Sequence, residues 1–210
     1  QDILSLSANV APVLLDLDGD GRIGYSTVQG DINLDGLADK LQWVSAKDGI
    51  LFHDRFGNGE LKSMGQFAFT EYGGETDLEG LAIGFDSNKD GVFDARDAAW
   101  DSFKVWQDLN QDGKTGAGEL HTLLSLGITA IALQSDGVER SPVAGVTEHG
   151  HRSATLASGA KLLIVDDQLA NVLLLERLLR GAGYCAISST QNPTEVVDLH
   201  RKNRYDLILL

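Results

Sequence analysis

Residues 86–119 read DSNKDGVFDARDAAWDSFKVWQDLNQDGKTGAGE, and two stretches within them govern how the rest is read. Each opens Asp-x-Asn-x-Asp-Gly, the first at Asp86 and the second 22 residues later at Asp108. The spacing has a chemical reason. Calcium is a hard cation that takes about six to eight oxygens, and side chains at loop positions 1, 3 and 5 converge on one point. Glycine at position 6 makes the sharp turn, position 7 offers its carbonyl, and a carboxylate at position 12 closes the site. In the second loop Asp108, Asn110, Asp112, Lys114 and Glu119 fill these places, with Gly113 at the turn. In the first they are Asp86, Asn88, Asp90 and Val92, with Asp94 at position 9 and Asp97 at position 12. Aspartate is shorter than glutamate, so the first loop is expected to be weaker, or more tolerant of magnesium.

Working outward, Thr76-Asp-Leu-Glu79 has the spacing of a helix-capping box. Between the loops Ala99, Phe103 and Trp106 stand at i, i+4 and i+7, which predicts a helix over 95–107. Leu120, Leu123, Leu124 and Leu126 predict another, ended by Gly127. The expected class is therefore an α+β calcium-binding domain built on an EF-hand-like helix–loop–helix pair. Nearer the N-terminus, Asp16, Asp18 and Asp20 with Gly21 begin a similar loop, as do Asp31, Asn33, Asp35 and Asp39 with Gly36. Thr27 and Gln42 stand at their twelfth positions and are poor closing ligands. A further loop from Asp54 has Phe56 at a ligand position and Lys62 at position 9. These three read as open calcium sites completed by other segments, or equally as plain Asp/Asn-Gly turns between short strands.

Charge agrees with a cation partner. The 210 residues carry a net −14, and residues 16–119 hold 21 acids against 9 bases while residues 161–210 hold six of each. Phosphate recognition needs the opposite sign, so the acidic part is not expected to bind nucleic acid. No apolar run approaches the roughly 18 residues of a membrane span. A single cysteine, Cys185, excludes an internal disulfide framework and reads as a buried strand residue. The chain opens on Gln1 with no leader pattern, which reads as a processed or partial chain.

Beyond a predicted strand at 128–133 lies a Gly/Ser/Thr-rich stretch, in which His149 and His151 read as surface residues rather than a zinc pair. The character changes at Lys161. An apolar run at 162–165 ends in Asp166 and Asp167 and is followed by a leucine-rich helix over 171–180 that Gly181 and Gly183 close. Leu174, Leu175, Leu178 and Leu179 are expected on its inner face. A strand near 185–188, a helix from Pro193 to about His200 and a strand at 206–210 complete β-α-β-α-β, the start of a partial, flavodoxin-like α/β segment. The predicted organisation is an acidic domain at 1–135, a tail or linker at 136–160 and this segment at 161–210. Its last strand, 207–210, is an apolar edge suited to self-association or to a protein partner.

Two family resemblances follow from these residues. The ordered blocks LDLDGDG (15–21), KDGILFHDRFGNGEL (47–61), LAIGFDSNKDGVFDARDAAW (81–100) and KVWQDLNQDGKTGAGELHTLLSLGITAIAL (104–133) resemble the calcium-binding module of bacterial RTX-type and related repeat-containing secreted proteins. Some members, the iron-regulated RTX proteins, cleave themselves at an Asp-Pro bond in the presence of calcium. The three prolines here follow Ala11, Ser141 and Asn192, so self-processing within this chain is not expected. LLIVDDQLANVLLLERLLRGAGY (162–184) and YDLILL (205–210) resemble a response-regulator receiver domain. That likeness implies a magnesium-holding pair at Asp166 and Asp167, and a phosphate-accepting aspartate directly after Leu210. The site is thus incomplete within these residues, and no phosphorelay by them is expected. The calcium resemblance implies an extracellular setting and the receiver resemblance a cytoplasmic one. Structural calcium binding is the leading expectation. The alternatives are a two-component signalling fragment and, more weakly, a dockerin-like interaction module. No catalytic arrangement of residues is recognisable, so no enzyme is expected.

Overall fold

The computed structural model describes residues 12–181 and 184–210. Its centre is an antiparallel sheet of four strands: β1 (Leu14–Leu15), β4 (Gly49–His53), β6 (Phe103–Trp106) and β7 (Leu120–Thr122), in the order β1-β4-β6-β7. The β4 sequence Gly-Ile-Leu-Phe-His is apolar on both faces because both faces are covered. Leu51 joins Phe103 and Val105 in one core cluster, while Ile50 and Phe52 join Trp106 in another.

The first face is covered by α1 (Asp77–Phe85) through Leu81 and Phe85, and by the sheet β5-β8-β9 through Phe93 and Ile131. This sheet comprises β5 (Val92–Asp94), β8 (Ile128–Ala132) and β9 (Ala154–Leu156). The second face is covered by a two-stranded ribbon, β2 (Tyr25–Gly30) with β3 (Asp39–Val44), which supplies Val28, Trp43 and Val44. Phe52 and Trp106 are inaccessible to solvent, and burying such side chains stabilises by about 1.5–3 kcal/mol each.

The expected class is overturned. The described residues form twelve strands in four sheets with three short α-helices, so the protein is mostly β. There is no EF-hand helix–loop–helix pair among them. The helix entering the first loop does form, with the capping box at Thr76 and Glu79 in place. The predicted helix at 95–107 is a 3-10 turn, Trp100–Ser102, running into β6. Phe103 and Val105 alternate with Lys104 across the sheet, and this period of two outweighs the helical spacing of Ala99, Phe103 and Trp106. The predicted helix after the second loop is likewise β7 followed by a 3-10 turn, Leu124–Leu126, capped by Gly127 in the left-handed conformation.

The C-terminal segment contains β10 (Ser158–Val165), α2 (Leu169–Gly181), β11 (Tyr184–Thr190), α3 (Val196–Asn203) and β12 (Leu207–Leu209). Its strands are parallel in the order β11-β10-β12. This three-stranded sheet is one of four in a β protein and does not make the chain a flavodoxin-like α/β fold. On α2, Val172 is buried, but Leu174 and Leu178 point outward, correcting their assignment to the inner face. Gly183 and the Cys185 side chain lie outside the described residues and side chains. No described helix is long and apolar enough to cross a membrane.

Candidate functional site

All five Asp/Asn-Gly loops, including the one from Asp54, share one backbone conformation. The glycine at position 6 has φ between 68° and 87° in each: Gly21, Gly36, Gly59, Gly91 and Gly113. Position 4 is left-handed as well, in Gly19, Leu34, Gly57, Lys89 and Gln111, with φ of 58° to 74°. For a residue with a Cβ this costs roughly 1–2 kcal/mol, so something must hold it.

Hydrogen bonds do so. The position-6 N–H donates to the first carboxylate at 2.8–3.0 Å in every loop. The position-7 N–H donates to the position-5 side chain at 2.8–3.2 Å. Asp16, Asp31, Asp86 and Asp108 thus occupy equivalent places, as do Asp20, Asp35, Asp90 and Asp112. Asp18, Asn33, Asn88 and Asn110 each accept from the position-5 N–H. Loss of solvent raises the Asp16 carboxyl, but the backbone hydrogen bonds from Gly21, Gly19 and Asp20 together outweigh it and hold the group below the usual carboxylate range.

The loops differ in how they are closed. In the 108 loop Glu119 is 3% exposed, and its Oε1 accepts from the position-2 N–H of Leu109 at 3.2 Å. In the 86 loop Asp97 is 4% exposed and accepts from the position-2 N–H of Ser87 at 2.8 Å. The 16 loop has Thr27 at position 12, in the β2–β3 ribbon opposite Gln42. Its position-2 N–H, on Leu17, instead donates to Asp48 at 3.3 Å. Asp48 is 2% exposed and also accepts from Gly24 and Ser45. Carboxylate oxygens of Asp16, Asp18 and Asp48 all lie within 4.8 Å of one another.

Asp48 comes from the β3–β4 turn, far from the loop in sequence, so spacing could not find it. Its one signal in the sequence is the expectation that another segment completes an open loop. The 31 loop has no such carboxylate at its position-2 N–H among the described contacts: Asp39 accepts from Asn33, and Gln42 donates to Thr27.

The 54 loop supplies its own cations. Arg55 lies 5.0 Å and Lys62 5.8 Å from the centre of the Phe56 ring, where a ligand oxygen would be needed. Arg96 plays a comparable part at the 86 loop, 2.7 Å from Asp90 and 2.6 Å from Asp94. Burial raises the Asp94 carboxyl, but its hydrogen bonds and ion pair with Arg96 together outweigh it and hold the group below its usual range.

The 108 loop is the most deeply set. Asp108 is inaccessible to solvent, and burial pushes its carboxyl above the usual range against hydrogen bonds from Gly113, Trp43 and Asp112. The loop lies on the β2–β3 ribbon. Gln111 donates to the Val44 carbonyl and meets Ser26, and a Cβ on Gly113 would collide with Ile32.

Asp166 and Asp167 follow β10 as foreseen, but Asp166 accepts from the Gln168 N–H at 2.8 Å and from the Asn171 amide at 3.1 Å, fixing the start of α2. His149 pairs with Glu139 and His151 with Glu148, so the two histidines turn to different partners. Glu148 also accepts from Tyr25, tying the 136–151 hairpin to the ribbon.

These loops lie within a segment with recognisable relatives. The chain is 36% identical over 180 aligned positions to the iron-regulated protein FrpA of Neisseria meningitidis serogroup C, covering 75% of this chain. It spans only 16% of that relative's length. Residues 13–170, which include all five loops, match the family described as SPM domain, and the chain belongs to that family.

Proposed function

We propose that this chain binds calcium at its three closed loops, 16–27 with Asp48, 86–97 and 108–119, and that the ions stabilise its fold. One observation carries the reading. In each of these loops a nearly buried carboxylate accepts the position-2 N–H, although in one it comes from a distant turn. Convergence on one closure from different sequence positions is what a common ligand chemistry requires, whereas a plain turn needs none.

Electrostatics point the same way. Asp108 and Glu119 are buried neighbours of like charge, and such pairs are costly unless a cation or donors offset them. The oxygen-rich donor sets suit calcium or magnesium rather than zinc. A cation bound only by the native state stabilises it by about 2.7 kcal/mol per site at a hundredfold excess over Kd. The role is structural, in a setting such as the extracellular space where calcium is plentiful enough for weak sites to fill.

The test is thermal unfolding of the chelator-stripped chain with and without calcium. At a hundredfold excess, three sites should raise Tm by about 15–30 °C, taking roughly 2–4 °C per kcal/mol for a chain of this size. The double variant Asp86→Ala with Asp108→Ala should lose most of that rise. An unchanged Tm at millimolar calcium would refute the proposal.

A further inference from the structure

We propose that Trp43 is a positioning residue for the cation site of the 108–119 loop, through a hydrogen bond that reserves one oxygen of Asp108 for the ion. The inference rests on the calcium reading above and extends it to a residue in neither loop nor motif. Trp43 lies on β3, far from Asp108 in sequence, and is 6% exposed. Its ring is wedged edge-on between Trp106, at a centroid distance of 5.5 Å, and Phe67, at 6.2 Å. The indole N–H therefore has a fixed direction, and it donates to Asp108 Oδ2 at 2.9 Å.

Counting lone pairs shows the consequence. Each carboxylate oxygen accepts about two hydrogen bonds. Oδ2 takes one from Gly113 at 2.9 Å and one from Trp43, and is filled. Oδ1 takes one, from Asp112 at 3.1 Å, and keeps a lone pair for a cation. Asp86 has the first and last of these bonds but no third donor among the described residues. The indole thus fixes the carboxylate's rotation, and ligands held in advance bind more tightly because less order is lost on binding.

The variant Trp43→Phe keeps an aromatic ring in the core and removes the donor, together with part of the indole's volume, which lowers stability with or without calcium. Calorimetric calcium titration of the full chain should show one site weakened about tenfold, the order of effect for a hydrogen bond to a charged group, with the others unchanged. A merely structural role would lower Tm equally in chelator and in calcium. A positioning role shrinks the calcium-dependent rise in Tm.

If Trp43→Phe does not fold, the wild-type indole N–H resonances decide the matter. The Trp43 signal should move with the midpoint of one calcium site, and Asp108→Asn should displace it while leaving that of Trp100 in place. Unchanged affinities in Trp43→Phe, or an indole signal indifferent to calcium, would overturn the proposal. A wild-type chain that binds no calcium at all would instead overturn the cation reading beneath it.

Discussion

The loops at 86–97 and 108–119 share a sequence pattern and a backbone, yet they sit in opposite surroundings. The first lies at the C-terminal end of α1, with Ser87, Asn88, Lys89 and Asp90 exposed and Arg96 folded across Asp90 and Asp94. The second begins and ends on adjacent strands of the central sheet, β6 and β7, and its first and last carboxylates are buried. It is held by Trp43, Gln111 and, through Thr115, by Leu61. The comparison teaches that the motif encodes the shape of a loop, while its place in the fold decides how ready the ligands are. On the calcium reading proposed above, the 108 loop is the better pre-arranged of the two, while at the 86 loop an incoming ion would compete with the tethered Arg96.

The largest difference should appear on deleting the first ligand of each loop. In saturating calcium, Asp108→Ala loses an ion and strands the buried N–H groups of Trp43 and Gly113, a cost of about 3–5 kcal/mol. Asp86→Ala loses an ion from an exposed loop and should cost about 1–2 kcal/mol. Chemical unfolding of the two variants in calcium measures both, and equal losses would break the comparison. Asp48→Ala is the next largest. It removes the acceptor shared by Leu17, Gly24 and Ser45, at about 2–3 kcal/mol, and should abolish binding at the 16 loop while leaving the other two intact. Calcium counted by calorimetry would then fall by one.

The helix that delivers the 86 loop carries a buried carboxyl with one unpartnered oxygen, unlike Asp108, both of whose oxygens accept hydrogen bonds. Asp77 is inaccessible to solvent at the start of α1, with Oδ1 accepting from Thr70 and Oδ2 lacking a partner. Burial pushes its carboxyl up to about 6. A folded pKa above the unfolded one means that the native state binds the extra proton. This group therefore stabilises the fold as pH falls from about 6 towards 4 and penalises it above about 6. Wild type minus Asp77→Asn should lose about 2 kcal/mol across that window as pH rises. Denaturant unfolding of the pair at several pH values reads it, and a flat difference would contradict the assignment. Smallest of all, Arg96→Gln removes the tethered competitor paired with Asp90 and Asp94 and should tighten the 86 loop about two- to fivefold, the order expected for surface ion pairs. Calorimetry should find the 108 loop unmoved.

The two best loops were legible because their pattern is local: twelve residues carry the acidic and amide side chains, and glycine at position 6 marks the turn. The left-handed φ at Leu34, Lys89 and Gln111 was not legible, because no residue type there demands it and only the hydrogen-bond lattice imposes it. Asp48 was hidden for another reason, since a carboxylate that reaches the loop from a distant turn leaves no spacing to read. The helices predicted around the loops failed at Phe103-Lys-Val-Trp106 and at Leu120-His-Thr122. Short apolar runs fit a period of 3.6 and a period of 2 alike, and strand pairing decides between them, with β4 for the first run and with β6 for the second. In the 54 loop Phe56 and Lys62 break the ligand pattern of the sequence. Its backbone nevertheless matches the others, with the aromatic ring and two cations in the place of ligands.

Closure by a buried carboxylate is the feature on which this account turns, and the number of ions bound tests it most directly. Calorimetric titration of the chelator-stripped chain should find three calcium ions taken up with clear saturation, at the loops opening with Asp16, Asp86 and Asp108. Equivalent binding at all five loops would contradict the distinction between closed and open loops, and no binding at millimolar calcium would contradict the account as a whole.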